Sequence, residues 1–448
     1  MAMIGWYEGT LDAAFAQARE RGQPLLLYWG ASWCPPCNRT KAGLFVEPEF
    51  VAAAGTLLPY FLDGDGAGAQ QLASRLRLRS YPTFVLYRPD GIEITRLPNE
   101  PDAETGAGLL TLALASPTSA GQWLAAALSA SRPLSSDEWR LLSFYSWDTD
   151  EGQLLAGRAP AATVAELARL CPPGDSAVRF ALHALALAAP ATDDDTAAAA
   201  PLLAALGDAP LARANMDIFS NSGIAAIQAV SLPQSALRAT LLSALDQVAR
   251  RWSDDLWLGV PDRLAAMRLS VRLQRLGAGP VDRDAVAAAV AALVAEADGP
   301  FARHSAIHIA AGALNDGGLP AEADAMLRAE LPRAHSPFYF MQLLAASAGR
   351  RGDTGAMLAW YEQAWRTAKG PATRIQWGAN YLLKLLDGAA ADIARIDDAA
   401  AGLLADVQAT PDAFCQRNRG HLQRVGQALA EAGGHAGALK RLIDSATA

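Results

Sequence analysis

Two cysteines three residues apart, Cys34 and Cys37, are the residues whose types and spacing most clearly predict chemistry in this 448-residue chain. They stand in the segment Trp33-Cys34-Pro35-Pro36-Cys37, directly after an apolar run and at the expected start of a helix. A thiolate at a helix N-terminus meets unpaired backbone N–H groups and the positive end of the helix dipole, so its pKa falls. The pattern predicts reversible thiol–disulfide chemistry. Cys34 should be exposed and nucleophilic, and Cys37 more buried as the resolving thiol.

The two prolines between the cysteines set an expectation for the redox potential. Pro35 and Pro36 fit the first helical positions because their missing N–H groups break no helical bond. They also remove donors that would otherwise stabilise the Cys34 thiolate. A less stabilised thiolate makes the reduced form less favourable, so the disulfide is a weaker oxidant. We therefore predict a potential toward the reducing end of the range for such dithiols.

A zinc half-site and a purely structural disulfide are the other interpretations of the Cys34–Cys37 pair. Zinc would need a second close pair of ligands, but Cys171 and Cys415 are solitary and the six histidines all lie in the later part of the chain. His304 and His308 share one helix face at their spacing of four, yet no glutamate lies between them and no third ligand is evident. We expect no metal and no cofactor. Whether Cys171 and Cys415 pair with each other is left open.

The elements that must position the cysteines follow from the hydrophobic pattern of the first 131 residues. Short apolar runs predict buried strands, and Pro89-Asp90-Gly91 predicts a hairpin turn. After a first helix at Thr10–Arg21, the order is β-α-β-α-β-β-α, which predicts an α/β fold with a mixed central sheet flanked by helices. The strands are predicted at residues 24–29, 57–62, 83–87 and 92–97, and the further helices at 35–45, 69–78 and 119–131.

The strand patterns end there, and the remaining chain alternates helical segments with Gly, Pro and Asp punctuation. We predict an all-α region of about 14 to 16 helices. A small residue and then aromatic residues at helical spacing follow Gly352. A similar pattern follows Gly318, 34 residues earlier. That period resembles a tetratricopeptide repeat, and a less regular stack of helical hairpins is the alternative. The predicted domains are therefore residues 1–131 and residues 132–448.

Composition and charge exclude several classes of protein. The chain carries 38 Lys and Arg against 46 Asp and Glu, a net charge of −8, so it has no general attraction for nucleic acid. The longest alanine-rich apolar run, Ala285–Ala295, has charged neighbours and is too short to span a membrane. The opening MAMIGWYEGT lacks a signal-peptide pattern. Either the protein is cytoplasmic or a leader was replaced, and the Met1-Ala2-Met3 start slightly favours the second reading.

Residues 5–131 resemble a thioredoxin-fold domain. The WCPPC segment occupies the family's WCxxC position after the central strand, and Ser80-Tyr81-Pro82-Thr83 occupies the position of the cis-proline loop before the hairpin. The resemblance implies a cis peptide bond at Pro82 and a catalytic dithiol of Cys34 and Cys37. It also implies substrate binding by Trp33, Tyr81 and Pro82. Pro35, Pro36 and Tyr28 would support the active site.

One departure from the thioredoxin pattern concerns proton transfer. Classical thioredoxins carry a buried aspartate that assists the resolving thiol, and Tyr28 stands in its place, while the accompanying lysine falls near Phe61. Proton transfer would then use water, Tyr28 or a nearby acid such as Asp63.

The resemblance also implies a function for the whole chain. It points to a protein disulfide reductase or isomerase that acts on protein thiols and disulfides, with a redox partner protein and a periplasmic location. The helical region would recognise the partner or substrate. The alternative is a helical-repeat scaffold or chaperone whose thioredoxin-like domain docks partners with little turnover. The direction of the reaction and the oligomeric state are left open.

Overall fold

The computed structural model describes residues 4–98, 103–147, 149–150, 152–432 and 437–447. The N-terminal part of the chain alternates strands and helices, as its mixed hydrophobic pattern predicts. Its elements are α1 (Leu11–Arg21), β1 (Leu25–Gly30), α2 (Pro35–Ala42), a 3-10 turn at Leu44–Val46, α3 (Pro48–Gly55), β2 (Leu58–Asp63), α4 (Ala69–Arg75), β3 (Thr83–Tyr87), β4 (Glu93–Leu97), α5 (Ala103–Ala115) and α6 (Ala120–Ser129).

Four strands form one sheet in the order β2-β1-β3-β4. Strand β1 is buried along its whole length, which explains why its sequence is a continuous apolar run rather than an alternating one. Strands β3 and β4 are antiparallel, with Phe84 opposite Leu97 and Val85 opposite Arg96. Gly91 has φ +86° in the connecting turn, a backbone conformation that favours glycine. The predicted mixed α/β fold is confirmed.

Most predicted elements of this part are found within a few residues of their expected bounds. Strand β3 has the predicted bounds, and Thr10 caps α1 by accepting the Ala13 N–H at 3.2 Å. The helix expected over residues 35–45 ends earlier, at Ala42, because Gly43 leaves the helical conformation and a 3-10 turn follows. Helices α3 and α5 were not predicted.

The rest of the described chain is helical, with seventeen α-helices against the 14 to 16 expected. A π-helical turn at Gln274–Ala278 extends the eighth of them. They are α7 (Ser136–Ser143), α8 (Pro160–Leu170), α9 (Asp175–Leu187), α10 (Ala200–Gly207), α11 (Ala209–Ala214), α12 (Met216–Gln228), α13 (Ala236–Asp254), α14 (Val260–Leu273), α15 (Arg283–Glu296), α16 (Pro300–Asp316), α17 (Pro320–Glu330), α18 (Pro337–Arg350), α19 (Thr354–Thr367), α20 (Pro371–Gly388), α21 (Ile393–Gln408), α22 (Gln416–Ala432) and α23 (Gly437–Thr447).

The two glycines 34 residues apart occupy equivalent places between helices. Gly318 connects α16 to α17 and Gly352 connects α18 to α19, and both have φ +77°. Along the chain, α18 packs on α19, α19 on α20 and α20 on α21. The 34-residue period therefore marks a repeated helix–glycine–helix connection, and its assignment to the tetratricopeptide class stays a prediction.

The chain divides into two compact units, each made of several segments. The first contains residues 1–28, 35–61 and 82–323, and within it α2 packs against α16 and α14 against α13 and α16. The second contains residues 29–34, 62–81 and 324–448, and within it α4 packs against α22. The domain boundary expected after residue 131 stays a prediction. Across the described ranges, every helix is too short or too polar to cross a membrane.

Candidate functional site

The two motif cysteines lie where β1 gives way to α2. Cys34 directly precedes the first residue of α2, and Cys37 lies in the first turn of that helix. Cys37 is fully buried, as expected for a resolving thiol. Cys34 is only 4% exposed, so the expectation that it would be exposed is wrong. Its backbone N–H donates to the carbonyl of Ala31 at 3.4 Å.

Trp33, the residue before Cys34, is covered by helices of its own compact unit. Within the second compact unit the Trp33 ring stacks on Tyr339 of α18, with centroids 5.7 Å apart and planes at 18°. The ring of Trp377 on α20 is tilted relative to that of Trp33, with their centroids 5.0 Å apart. The Trp33 indole N–H donates to the hydroxyl of Thr373, also on α20, at 2.7 Å. Helices from the C-terminal part of the chain thus cover the residue that was expected to bind substrate.

Thr373 also binds Asp65, which lies between β2 and α4. The Asp65 carboxylate accepts the Thr373 N–H at 2.7 Å and the Thr373 O–H at 2.6 Å. It therefore caps the first turn of α20, where a negative charge is favoured. A Cβ at Gly370, just before this helix, would come within 2.3 Å of the Asp65 Cγ, so a glycine makes the approach possible. The Thr373 hydroxyl joins Trp33 to Asp65.

The pKa of Asp65 reflects its buried position. Burial raises the pKa of Asp65 from 3.8 to about 6, although its hydrogen bonds with Thr373 act in the opposite direction. The neighbouring carboxylate of Asp63 adds to the rise. Sequence reasoning missed Asp65, because nothing in its local pattern distinguishes it from an ordinary loop aspartate.

A second carboxylate, from the C-terminal part of the chain, caps the N-terminus of α4. Asp412 accepts the backbone N–H of Gln70 at 2.8 Å and that of Gln71 at 3.3 Å. Nearby, the backbone N–H of Arg417 donates to the side-chain oxygen of Gln70 at 3.2 Å. The segment of residues 62–81 and the C-terminal helices are therefore joined by reciprocal helix caps within one compact unit.

Tyr81 lies beside Trp33 in the same compact unit. Its ring meets Trp33 edge-on at 5.9 Å and Trp29 at 4.4 Å. Its phenol accepts a hydrogen bond from the Gln70 amide at 3.0 Å. The guanidinium of Arg417 lies 4.7 Å from the ring centroid, in cation–π range. Tyr81 and Trp33 thus adjoin, and side chains from the C-terminal helices lie against both.

Tyr28, expected to support the active site, belongs to the aromatic core of the first unit. It is fully buried, and its ring lies 4.9 Å from Phe45, 5.2 Å from Phe61 and 5.0 Å from Phe84. Aromatic packing of this kind accounts for a tyrosine at the position where classical thioredoxins carry aspartate. A part for Tyr28 in proton transfer stays a prediction.

The remaining predicted residues lie in the same elements as expected. Pro35 is buried and Pro36 half-buried in the first turn of α2, and both border a cavity. Pro82 is buried directly before β3. The Asp63 carboxylate accepts the backbone N–H of Asp65 at 3.1 Å. The roles expected for these four residues stay predictions.

Among the residues that the structure describes, the other cysteines and histidines form no competing site. Cys171 and Cys415 are free thiols in the described chain, and burial raises the pKa of both, that of Cys171 to about 11. Such thiols are weak nucleophiles at neutral pH. His304 and His308 share α16, but the described residues contain no group of three or more His, Cys, Asp or Glu side chains placed to hold a metal. Cys34 and Cys37 remain the strongest redox candidates.

Comparison with known proteins agrees with this fold and motif. Residues 5–89 match the family model described as Thioredoxin-like. This part of the chain is a thioredoxin-like domain. The match contains β1, the Cys34–Cys37 motif and β3, so the family expected from the residues is confirmed for this domain, with a helical extension behind it.

Two curated relatives come from Pseudomonas aeruginosa. The chain is 33% identical over 85 residues to Thiol:disulfide interchange protein DsbD 1, a match that covers 18% of this chain and 14% of the relative. It is 32% identical over 97 residues to Thiol:disulfide interchange protein DsbD 2, covering 21% and 16%. The matched stretch is thus less than a fifth of either relative.

Two solved structures align with about a quarter of the chain. A thioredoxin from Thermus thermophilus shows 23% identity and a TM-score of 0.23, covering 26% of this chain and 89% of that one. A DsbH Oxidoreductase shows 19% identity and a TM-score of 0.23, covering 25% and 87%.

Proposed function

We propose that this protein is a thiol–disulfide oxidoreductase that acts through Cys34 and Cys37. The observation that carries the proposal is the position of the pair inside a thioredoxin-like domain, with Cys34 directly before α2 and Cys37 in its first turn. The identity with two thiol:disulfide interchange proteins supports the same class of reaction.

The proposed reaction begins with the Cys34 thiolate. It attacks one sulfur of a substrate disulfide, forms a mixed disulfide and expels the other substrate sulfur as a thiolate. The Cys37 thiolate then attacks the Cys34 sulfur and releases the second substrate thiolate. Two electrons pass from the dithiol to the substrate, the two products take up the two protons, and Cys34 and Cys37 are left as a disulfide. The reverse sequence oxidises a substrate dithiol.

We further propose that the C-terminal helices control which substrates reach Cys34. The contacts of Trp33 with Tyr339 and Trp377, and of Tyr81 with Arg417, support this role, because Trp33 and Tyr81 are the residues expected to bind a substrate peptide. A protein substrate would have to compete with these contacts. The proposed substrates are protein thiols and disulfides, maintained by a separate redox partner protein.

Insulin reduction in dithiothreitol tests the oxidoreductase proposal. The wild-type chain should accelerate turbidity, and Cys34→Ser should remove the acceleration because the attacking thiol is gone. The double variant Cys171→Ser, Cys415→Ser is the matched control, since it removes two thiols, one more than Cys34→Ser, and leaves the motif intact. Equal rates for wild type and Cys34→Ser would refute the proposal.

The alternative is a scaffold whose thioredoxin-like domain docks partners with little turnover. The 4% exposure of Cys34 is the observation that favours it. Trapping separates the two functions. Under the oxidoreductase proposal, Cys37→Ser accumulates mixed disulfides through Cys34, and these disappear on reduction. Under the scaffold alternative, Cys34→Ser captures the same partners as the wild type.

The proposed compartment is the periplasm, where dithiol proteins exchange electrons with secreted substrates. Fractionation of cells that carry the native gene tests this location. Recovery of the chain with cytoplasmic markers alone would overturn it.

A further inference from the structure

A cavity of about 220 Å³ lies in the first compact unit, against the two prolines of the WCPPC segment. Its walls come from α2, α12, α14 and α16. At about 30 Å³ for each water in the liquid, it has room for about seven waters, or for a small molecule of similar size. The proposed redox reaction assigns no role to this space.

Three arginines line the cavity, and no acidic residue does. Arg268 and Arg272 lie four residues apart on α14, which puts both on one face of that helix. Arg39 projects from α2, the helix that carries Cys37. The side chains that border the space therefore give it a positive lining.

Two of the three arginines are held in place by carboxylates outside the lining. Arg39 forms an ion pair with Asp262, and the Arg268 Nε donates to Asp316 at 2.7 Å. A Cβ at Gly312 would come within 2.5 Å of the Arg268 Cζ, so the guanidinium lies directly on α16 where glycine leaves room. A guanidinium has five N–H donors, and an ion pair with one carboxylate uses only some of these donors.

Arg272 is different, because its side chain has no ion pair or hydrogen bond within the described residues. It is half-buried at the edge of the cavity. A guanidinium without a carboxylate partner, beside two others that are fixed, supplies an uncompensated positive charge. Arginine forks bind carboxylate and phosphate oxygens with two parallel hydrogen bonds.

Two buried hydroxyls in the cavity wall point to a ligand independently of charge. The Oγ atoms of Ser220 and Ser305 are buried and have no hydrogen-bond partner among the described residues. Ser305 is 1% exposed, and it lines the same space as Arg272. A buried polar group left without a partner costs roughly 1–3 kcal/mol. Both hydroxyls can donate to an anion seated between the arginines.

His308 completes the wall as a neutral group. Burial, assisted by Arg268, lowers the pKa of His308 to about 4, so the imidazole carries no charge at neutral pH. This histidine, noted in the sequence for its spacing from His304, therefore belongs to the lining of this cavity.

We propose that this cavity is a binding site for a small anion that carries a carboxylate or phosphate group. Arg272 would bind the charged group, and the hydroxyls of Ser220 and Ser305 would donate to its oxygens. The proposal goes beyond the redox function and does not depend on it. Its measurement is ligand binding, so a failure of the insulin assay and a failure of this proposal are separate results.

Calorimetric titration of the full-length chain tests the site with three probes, inorganic phosphate, succinate and the neutral dimethyl ester of succinate. Phosphate or succinate should bind saturably with one site per chain, and the ester should not bind. Tighter binding of succinate assigns a carboxylate ligand, and tighter binding of phosphate assigns a phosphate. Equal binding of the ester, or no saturable binding of either anion, would overturn the proposal.

Two variants locate the bound anion. Arg272→Gln should weaken binding by about tenfold or more, because a charged hydrogen-bonding partner is lost. Arg251→Gln, an exposed position on α13 outside the cavity, is the matched control and should bind as the wild type does. Ser305→Ala should also weaken binding while leaving the melting temperature unchanged or raised, since it removes an unpartnered hydroxyl. Wild-type affinity in both Arg272→Gln and Ser305→Ala would place the anion elsewhere and overturn the proposal.

Discussion

Removal of the Thr373 hydroxyl should expose Cys34. The hydroxyl accepts the Trp33 indole N–H at 2.7 Å and donates to Asp65 at 2.6 Å, so it joins the motif segment to α20. Thr373→Val keeps the shape of the side chain and the backbone N–H bond to Asp65. It removes both hydroxyl bonds and leaves the buried Trp33 indole N–H and the half-buried Asp65 carboxylate without that partner.

The size of the effect follows from these two bonds. A neutral hydrogen bond contributes about 0.5–1.5 kcal/mol net and one to a charged group about 1.5–3 kcal/mol, so the covered arrangement should lose roughly 2–4 kcal/mol. Even ~2 kcal/mol is roughly a 30-fold change in a two-state equilibrium. If Cys34 reacts only when Trp33 leaves α20, its alkylation should accelerate by at least tenfold.

The assay is the rate of iodoacetamide labelling at Cys34 in the reduced chain, followed by mass spectrometry of the peptide that contains it. Peptide mapping separates this thiol from Cys171 and Cys415. Thr367→Val is the matched control, because the exposed Thr367 hydroxyl donates to the Gln363 carbonyl at 2.7 Å in its own helix and lies 3.6 Å from the Met341 sulfur, with neither partner in the motif segment. Equal Cys34 labelling in the two variants, with a lower melting temperature for Thr373→Val, would refute the reasoning and leave the hydroxyl a purely structural role.

Three further predictions concern the same region. The pKa of Asp65 is raised to about 6 in the folded chain. The folded state therefore binds more protons than the unfolded state between about pH 4 and pH 6. The contribution of Asp65 to the free energy of unfolding falls as the pH rises through that window. The urea unfolding free energy of wild type relative to Asp65→Asn should therefore drop by roughly 1–3 kcal/mol from pH 4 to pH 7. Gly64→Ala should lower the melting temperature and displace the Tyr81 side chain, because a Cβ at residue 64 would lie 1.9 Å from the Tyr81 hydroxyl oxygen. The potential of the Cys34–Cys37 couple, measured by equilibration with glutathione, should lie nearer ~−270 mV than ~−120 mV.

Each of these three has an outcome that contradicts it. If the unfolding free energy of wild type relative to Asp65→Asn rises with pH, the raised pKa of Asp65 is contradicted. Gly55→Ala is the control for Gly64→Ala, since a Cβ at residue 55 meets nothing within 4 Å, and equal melting temperatures would contradict the crowding at Tyr81. A measured potential near ~−120 mV would show that Pro35 and Pro36 do not set a reducing value.

Local features of the chain were predictable because they depend on neighbours in sequence. The Cys34–Cys37 spacing, the apolar run of β1 and the bounds of β3 need only periodicity and helix-terminus chemistry, and the structure has them where the sequence indicates. The helical character of the later chain follows from the same rules. The end of α2 was predicted three residues too late, because Gly43 is enough to end the helix at Ala42.

Local sequence patterns therefore indicate the dithiol, its place at a helix start and the α/β and all-α character of the chain around it. The cover over Trp33 was decided only by tertiary structure, because the bond to Thr373 joins residues 340 positions apart and that between Asp65 and Thr373 spans 308. No periodicity encodes which helix face meets a loop at such a separation. The same holds for the cavity, where Arg272 and Ser305 come from different helices. Burial of Trp33 is thus a property of the assembled core and not of the motif.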